Sequence, residues 1–453
     1  MMTRQFKTAD YEKTLDLEIN LRAVLPPEHL SRFIVDVIAQ LDLSGIYNQY
    51  GELGAPPYAP EILLGLLFYG YATGVFSSRK IERATYEVIP FRFIAGDMHP
   101  DHATIAAFRK QFLPKLKDLF VQILLIGQEM GHLQLGNVSV DGSKIHADAS
   151  KSKAVSYKRL LAIEAFLQTE VEELFALAEA ADGGQLPEEM NLEDEIERRH
   201  QQLERLAEAK KVLEARAQAR YEAEQAEYEA KLREREEKAT KTGQKPRGRH
   251  PKAPTPGPRD KDQYNFTDPE SRIMKNANNS GFDQHYNTQV VVDHDSRLIV
   301  GNLLSDQTND KQAALPTIDT VPPEVGKPET ASLDTGYFSQ DNIDGLEARG
   351  IDPYIATGRS PHHQGWRGFF AEEPSPPAED ASAKEKMAYK LRTDIGNALY
   401  RLRKSTVEPV IGIIKEVLAF RQFSLRGLVN AAGEWTLVCL AYNLKRLNTL
   451  KTA

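Results

Sequence analysis

Three acids stand where an acid needs a reason. Asp141 lies in Asn137-Val-Ser-Val-Asp-Gly-Ser-Lys-Ile-His-Ala147, whose alternation puts Val138 and Val140 on one face and Ser139 and Asp141 on the other. That is the period of a strand with one dry side. Asp334 closes a second short apolar stretch, Thr330-Ala-Ser-Leu-Asp-Thr-Gly-Tyr337, again with a glycine close behind. Glu408 sits in Tyr400-Arg-Leu-Arg-Lys-Ser-Thr-Val-Glu-Pro-Val-Ile-Gly-Ile-Ile-Lys415. Pro409 suits the first turn of a helix, which would put Glu408 at its N-terminus and Lys415 two turns further along the same face. Taken singly, a strand-end Asp bonded to an amide and a surface Glu–Lys pair are the plain readings. Taken together, three carboxylates would repel one another unless a cation joins them. Hard divalent cations take oxygen ligands, and two held side by side can promote in-line displacement at phosphorus. His362 and His363 are adjacent and lack a partner at zinc spacing, so they do not offer a rival metal site.

The elements needed to carry these acids are legible in part. Gly281 to Asp293 and Leu298 to Leu304 read as a hairpin around the turn Asp293-His-Asp-Ser-Arg297. Helices start near Asn309 and Ser339, and Asp352 to Ala356 is a last strand. With the Asp141 and Asp334 strands this makes five strands in the order β-β-β-α-β-α-β. Trp435, Leu437, Val438, Leu440, Tyr442 and Leu444 belong to a terminal helix that must pack on something.

Ahead of this region, residues 1–25 are a polar tail and 26–130 are helical. Leu30, Phe33, Ile34, Val37, Ile38 and Leu41 recur at helical spacing after Pro26 and Pro27, and a second apolar helix starts at Pro57 to Pro60. Two further short helices carry bases, Arg79, Lys80 and Arg83 in one, Arg109 and Lys110 in the other. Such helices are what a groove-reading module needs, and also what any bundle with solvated charges shows. Between the first acid and the hairpin, residues 160–240 read as two antiparallel helices joined near Asp182-Gly-Gly-Gln-Leu-Pro187, with a thin seam at Leu203, Leu206, Val212 and Leu213. Residues 241–262 form an extended basic, Pro-rich linker.

The chain has 453 residues and a net charge of −8. That charge is unevenly spread, since residues 161–240 hold 22 acids against 11 bases and the remainder is net positive. Global acidity therefore does not argue against a nucleic-acid partner. No run has the length and apolarity of a membrane span, the N-terminus lacks signal-peptide organisation, and one cysteine, Cys439, fits a reducing compartment. A cytoplasmic protein with no membrane partner is expected.

In order along the chain, these motifs resemble those of bacterial insertion-sequence DDE transposases. The resemblance rests on Ser77-Ser-Arg and Pro100-Asp-His-Ala-Thr-Ile-Ala-Ala-Phe-Arg109, on Val140-Asp-Gly-Ser-Lys144, on Asn265-Phe-Thr-Asp-Pro-Glu-Ser-Arg-Ile-Met-Lys275, on Asp334-Thr-Gly-Tyr337, and on Thr406 to Lys415. It implies an α/β catalytic core of ribonuclease H-like type, a mixed five-stranded sheet with helices, over 131–159 and 263–453. An all-α DNA-binding domain would precede this core and the long helical hairpin would interrupt it. It implies that Asp141, Asp334 and Glu408 are catalytic and hold two Mg2+ ions, with Mn2+ able to substitute. DNA contacts would come from Arg79, Lys80, Arg83, Arg109, Lys110, Lys144, Arg403, Lys404 and Lys415. The third motif departs from the family's Tyr, two residues, Arg, three residues, Glu, six residues, Lys: here Lys404 stands at the Arg position and Arg401 at the Tyr position, with Arg403 and Tyr400 each displaced by one. The implied partner is double-stranded DNA, both terminal inverted repeats and target, bound by a homodimer, and the implied setting is bacterial and nucleoid-associated. A structure-specific nuclease using the same acids, or a catalytically silent DNA-binding scaffold, would share these features.

Overall fold

The computed structural model describes residues 20–50, 57–181, 191–243, 250–276, 281–358, 375–378 and 380–452. The strands β1 (Asn137–His146), β2 (Arg272–Lys275), β3 (Phe282–Asp293), β4 (Ile299–Ser305), β5 (Thr330–Leu333) and β6 (Asp352–Ile355) form one mixed sheet. Its order is β2-β3-β1-β5-β6, with β4 also paired to β3. β3 runs antiparallel to β1, β2 and β4, whereas β1, β5 and β6 are parallel. The sheet thus has six strands among the described residues rather than the expected five. The extra one, β2, buries only Met274 between charged ends, so it carries little apolar alternation and owes its place to the long partner β3. A separate two-stranded ribbon pairs Ala154–Ser156 with Gln263–Asn265.

The N-terminal part is helical: α1 (Leu30–Ile38), α2 (Pro60–Ala72), α3 (Ser78–Glu87), α4 (His102–Phe112) and α5 (Leu116–Glu129), with shorter turns between. α1 starts later than Pro26 and Pro27; His29 caps it, its Nδ1 accepting from the Ser31 amide at 3.2 Å. After β1 come α6 (Tyr157–Ala181) and α7 (Leu192–Thr242). They meet through Leu160, Leu167, Leu206, Ala209 and Leu213, a small cluster closed by Val155 and Tyr264 from the ribbon. The expected joint at 182–187 and the paired histidines at 362 and 363 lie outside the described residues. Residues 250–262 are extended, as their prolines require, yet they are fastened rather than loose. Arg220 binds the Gly257 carbonyl at 3.1 Å and Asp262 at 2.8 Å, and Arg259 binds Glu224 at 2.9 Å.

The C-terminal elements complete the core: α8 (Gln340–Ala348), α9 (Asp394–Gly412) and α10 (Leu428–Thr452). α10 is apolar nearly all round, with Leu437, Cys439, Leu440, Ala441, Leu444 and Leu447 fully buried, the signature of a helix with neighbours on every side. It lies between β4 and the N-terminal helices α2 and α5, so one hydrophobic cluster runs from Phe33 to Leu447 without a break. The Asn443 side chain bonds the Ile299 backbone through both its groups, at 2.8 and 2.7 Å, where β4 begins. No helix among the described residues is long and apolar enough to cross a membrane.

A buried polar knot ties the N-terminal helices to α10. Glu434 is wholly buried and accepts from the Tyr71 hydroxyl at 2.8 Å, from the amides of Ser424 and Leu425 at 2.9 and 3.0 Å, and from the Ser424 hydroxyl. Arg109 in turn donates to the Tyr71 hydroxyl at 2.9 Å and to the Phe76 carbonyl at 3.1 Å. Removing one partner of such a set strands the others in a dry interior. Glu434→Ala should therefore destabilise the protein by about 3–5 kcal/mol, read as a lowered urea midpoint, whereas Glu434→Gln, which keeps the volume and part of the acceptor capacity, should cost less.

Candidate active site

β1 is the middle strand of the sheet, and both of its faces are covered. Val138 and Val140 are fully buried on one side, and Ser139 is equally buried on the other, within 2.8 Å of His294 Nε2 and accepting from Thr406 at 3.4 Å. The expectation of one dry side was thus too modest, because α9 lies across the second face. Thr406 and Arg403, three residues apart and so on one side of that helix, stand over Ser139 and Asp141. Asp141 Oδ1 accepts from the Gly142 amide at 2.8 Å, and Oδ2 from Arg403 Nη1 at 2.9 Å.

Asp334 reaches the same place by register. β1 and β5 are parallel, with Val140 opposite Leu333, so the next residues of the two strands, Asp141 and Asp334, emerge side by side. Asp334 Oδ1 then caps the turn Thr335–Tyr337 by accepting from the Gly336 amide at 2.6 Å. Burial, with the nearby Asp334 charge adding to it, pushes Asp141 up to about 6, against the pull of Arg403 and of the Gly142 amide.

Glu408 arrives differently from the expectation. Pro409 is inside α9 and Glu408 is near that helix's end, not its start. Proline at this point forgoes one bond to the preceding turn, and the helix passes into a π-helical turn over Ile413–Val417, where the Leu418 amide reaches the Ile413 carbonyl at 2.9 Å. Glu408 is half exposed, and its Oε1 accepts from Arg403 Nη2 at 3.1 Å. One buried guanidinium therefore joins Asp141 to Glu408, with the Tyr400 ring 5.9 Å away on the same helix.

The bases expected at DNA divide. Arg79, Lys80 and Lys110 are exposed, and Arg83 is exposed beside Glu87 at 2.7 Å. α3 and α4 are joined where His102 Nδ1 and the His102 amide both meet Glu82, at 2.8 and 3.2 Å. Arg109 faces inward to Tyr71, since α4 turns that side to the core. Lys404 is exposed on α9 and Lys144 is half exposed on β1. Lys415 does not face the acids: the π-helical turn carries it to the Lys144 carbonyl, 3.1 Å away, and burial lowers its pKa.

Sequence reading passed over a group beneath the acids. Asn287, Thr288 and Gln289 are consecutive buried polar residues in the middle of β3, where apolar residues would be the rule. Asn287 and Gln289 both donate to Asp310 Oδ1, at 2.7 and 3.0 Å. Three consecutive polar residues directly ahead of the apolar run Val290-Val291-Val292 were the available signal. Arg403 had only its unusual spacing from Glu408.

Asp141, Asp334 and Glu408 offer carboxylate oxygens alone, the donor set of a hard divalent cation. A positive group already lies at the centre in the form of Arg403. Among the described residues no three His, Cys, Asp or Glu close around a metal position, with Glu408 held on the far side of that guanidinium.

Two family models match the chain, a "Transposase domain (DUF772)" over residues 19–111 and a "Transposase DDE domain" over residues 250–444. Asp334 and Glu408 fall within the second match, and Asp141 falls in the stretch between the two. Neither a curated protein nor a solved structure matches the chain.

The raised pKa of Asp141 has a sign. Between its ordinary value, 3.8, and about 6, the folded state binds more proton than the unfolded chain, so stability falls as pH rises through that window and levels off above it. In metal-free protein, Asp141→Asn should flatten that slope and gain stability at neutral pH, on the order of 2 kcal/mol, measured by denaturant unfolding at pH 4 to 8.

Proposed function

From the premise that this chain belongs to the insertion-sequence DDE transposases, DNA-cleaving and strand-transferring enzymes, we propose that Asp141, Asp334 and Glu408 are the acids that carry out its chemistry. The observation that supports this best is their convergence from three distant parts of the chain, two through the parallel register of β1 and β5 and the third through Arg403. A carboxylate kept in mid-strand at an energetic cost is characteristic of a functional site.

Transposases of this family generally use divalent metal ions, and we assign Mg2+ here, held by Asp141, Asp334 and Glu408. Bound there, two such ions supply the Lewis-acid charge that activates an attacking hydroxyl and steadies a leaving oxygen at phosphorus. The remaining work falls to the chain. Asp141 and Asp334 fix one side of the centre, because each is tied to a backbone amide close behind it, Gly142 in the strand and Gly336 in the turn. Arg403 balances their charge, and its fork suits a phosphate oxygen as well as it suits a carboxylate. Glu408, half exposed and attached to Arg403, is the acid with room to move. The ribonuclease H-like reading of the core is supported by the central parallel pair and its antiparallel neighbour β3.

DNA binding follows from the family. For the element ends we assign Arg79, Lys80, Arg83 and Lys110, the exposed bases of α3 and α4, within the stretch that matches the first transposase model. Arg109 is left out of that set because it bonds Tyr71. Lys144 and Lys404, on β1 and α9, are suited to DNA lying at the acids.

The test is a plasmid excision and integration assay with the flanking DNA of the element as donor ends. Asp141→Ala, Asp334→Ala and Glu408→Gln should each abolish excision and joining while a mobility shift shows the ends still bound. Metal-dependent cutting retained by all three variants would refute the assignment.

A further inference from the structure

Gln289 stands opposite Gly142 in the β1–β3 ladder, next to the pair formed by Asp141 and Val290. Its side chain is fully buried and crosses Gly142 so closely that a Cβ on that glycine would meet Nε2 at 2.2 Å. The glycine behind the first acid is there to admit the amide. Both ends of that amide are engaged. Nε2 donates to Asp310 Oδ1 at 3.0 Å and to Asn287 Oδ1 at 3.1 Å, and Oε1 accepts from the Tyr337 hydroxyl at 2.5 Å. Tyr337 is itself buried at the end of the turn that Asp334 caps. One side chain thus presses on the strand of Asp141 and holds the turn of Asp334, touching neither carboxylate.

Asp310 is the third corner. Its Oδ1 is taken up by Asn287 and Gln289, and its Oδ2 and Asp334 Oδ1 both lie within 4 Å of the point where a Cβ on Gly336 would sit. A fourth carboxylate is therefore fixed on the Asp334 side of the centre. A buried polar network with all its members bonded holds directions that an apolar filling would leave free.

We propose that Gln289 is a positioning residue of the acidic centre, setting the spacing of Asp141 and Asp334 through Gly142 and Tyr337, and that it holds Asp310 beside them as an additional negative charge. This rests on the reading of Asp141 and Asp334 as catalytic acids. Partners that orient metal-holding groups typically govern affinity by about 10–100-fold, and small misplacements at a reacting centre are costly.

The experiment uses the full-length protein and four variants: Gln289→Met, of similar shape without the amide; Tyr337→Phe, which removes one hydroxyl; Asp310→Asn; and Asp141→Asn. Mn2+ binding is measured by calorimetry without DNA, and cleavage of end-bearing DNA is followed against Mn2+ concentration. Gln289→Met and Tyr337→Phe should each weaken Mn2+ binding about tenfold and move the cleavage midpoint to match, with end binding close to wild type and the unfolding midpoint lowered but still far above the assay conditions. Asp310→Asn should shift both in the same direction by less. Wild-type Mn2+ affinity in both Gln289→Met and Tyr337→Phe, alongside an inactive Asp141→Asn, would overturn this inference alone. Cleavage by Asp141→Asn would instead overturn the reading of the acids on which it rests.

Discussion

A carboxylate halfway along a strand that is covered on both faces has to be compensated from close by, and much of the structure around Asp141 can be understood as that compensation. Water supplies only part of it, because β1 lies between β3 and β5 with valines below and α9 above, leaving the Asp141 side chain 19% exposed. The Gly142 amide supplies part, and the Arg403 guanidinium supplies more. Even so, burial wins, and the carboxyl remains harder to ionise than an ordinary one. Glu408 then comes to the same place because Arg403 has a second nitrogen to offer. The centre is held together by sharing one cation among acids that would otherwise repel one another.

The same logic of shared partners operates at the joint between the helical N-terminal part and the sheet. α10 is the common wall, and the Arg109, Tyr71 and Glu434 set crosses it. Glu434 also gathers the amides of Ser424 and Leu425, in the segment between the π-helical turn and α10. A short path of bonded groups thus leads from the helices that carry the exposed bases to the chain just beyond Lys415. Division into separate domains at residue 130 would cut through one continuous core.

What could be read beforehand follows from the range of each signal. The strands bearing Asp141 and Asp334 were legible because period-two patterning and a nearby glycine are local, whereas the mixed sheet was implied by the family resemblance. Pro409 misled for the same reason: the preference of proline for a first turn is local, whereas α9 is kept whole through Pro409 by packing of Val407 and Val410 against the sheet. Arg109 was indistinguishable from Lys110 in a basic helix until the fold decided which side faced inward. Met274 alone could not announce β2, which needs its neighbour β3 to exist. Asn287, Thr288 and Gln289 were visible as a polar run ahead of three valines, but their meaning depended on Gly142, Tyr337 and Asp310, of which Gly142 and Tyr337 lie far off in sequence.

The helical excursion of α6 and α7 between β1 and β3 has a consequence for the order in which the molecule is made. Their seam is a cluster of its own, from Val155 to Leu213 and closed by Tyr264, so it takes no residue from the main sheet. β1 must wait through that entire excursion for β3, then for β5, and finally for α9 and α10. Arg403 and Glu408 leave the ribosome after every strand of the main sheet, as does the helix that closes the core. A nascent chain therefore has an early helical region and a finished hairpin well before Asp141, Asp334 and Glu408 can come together.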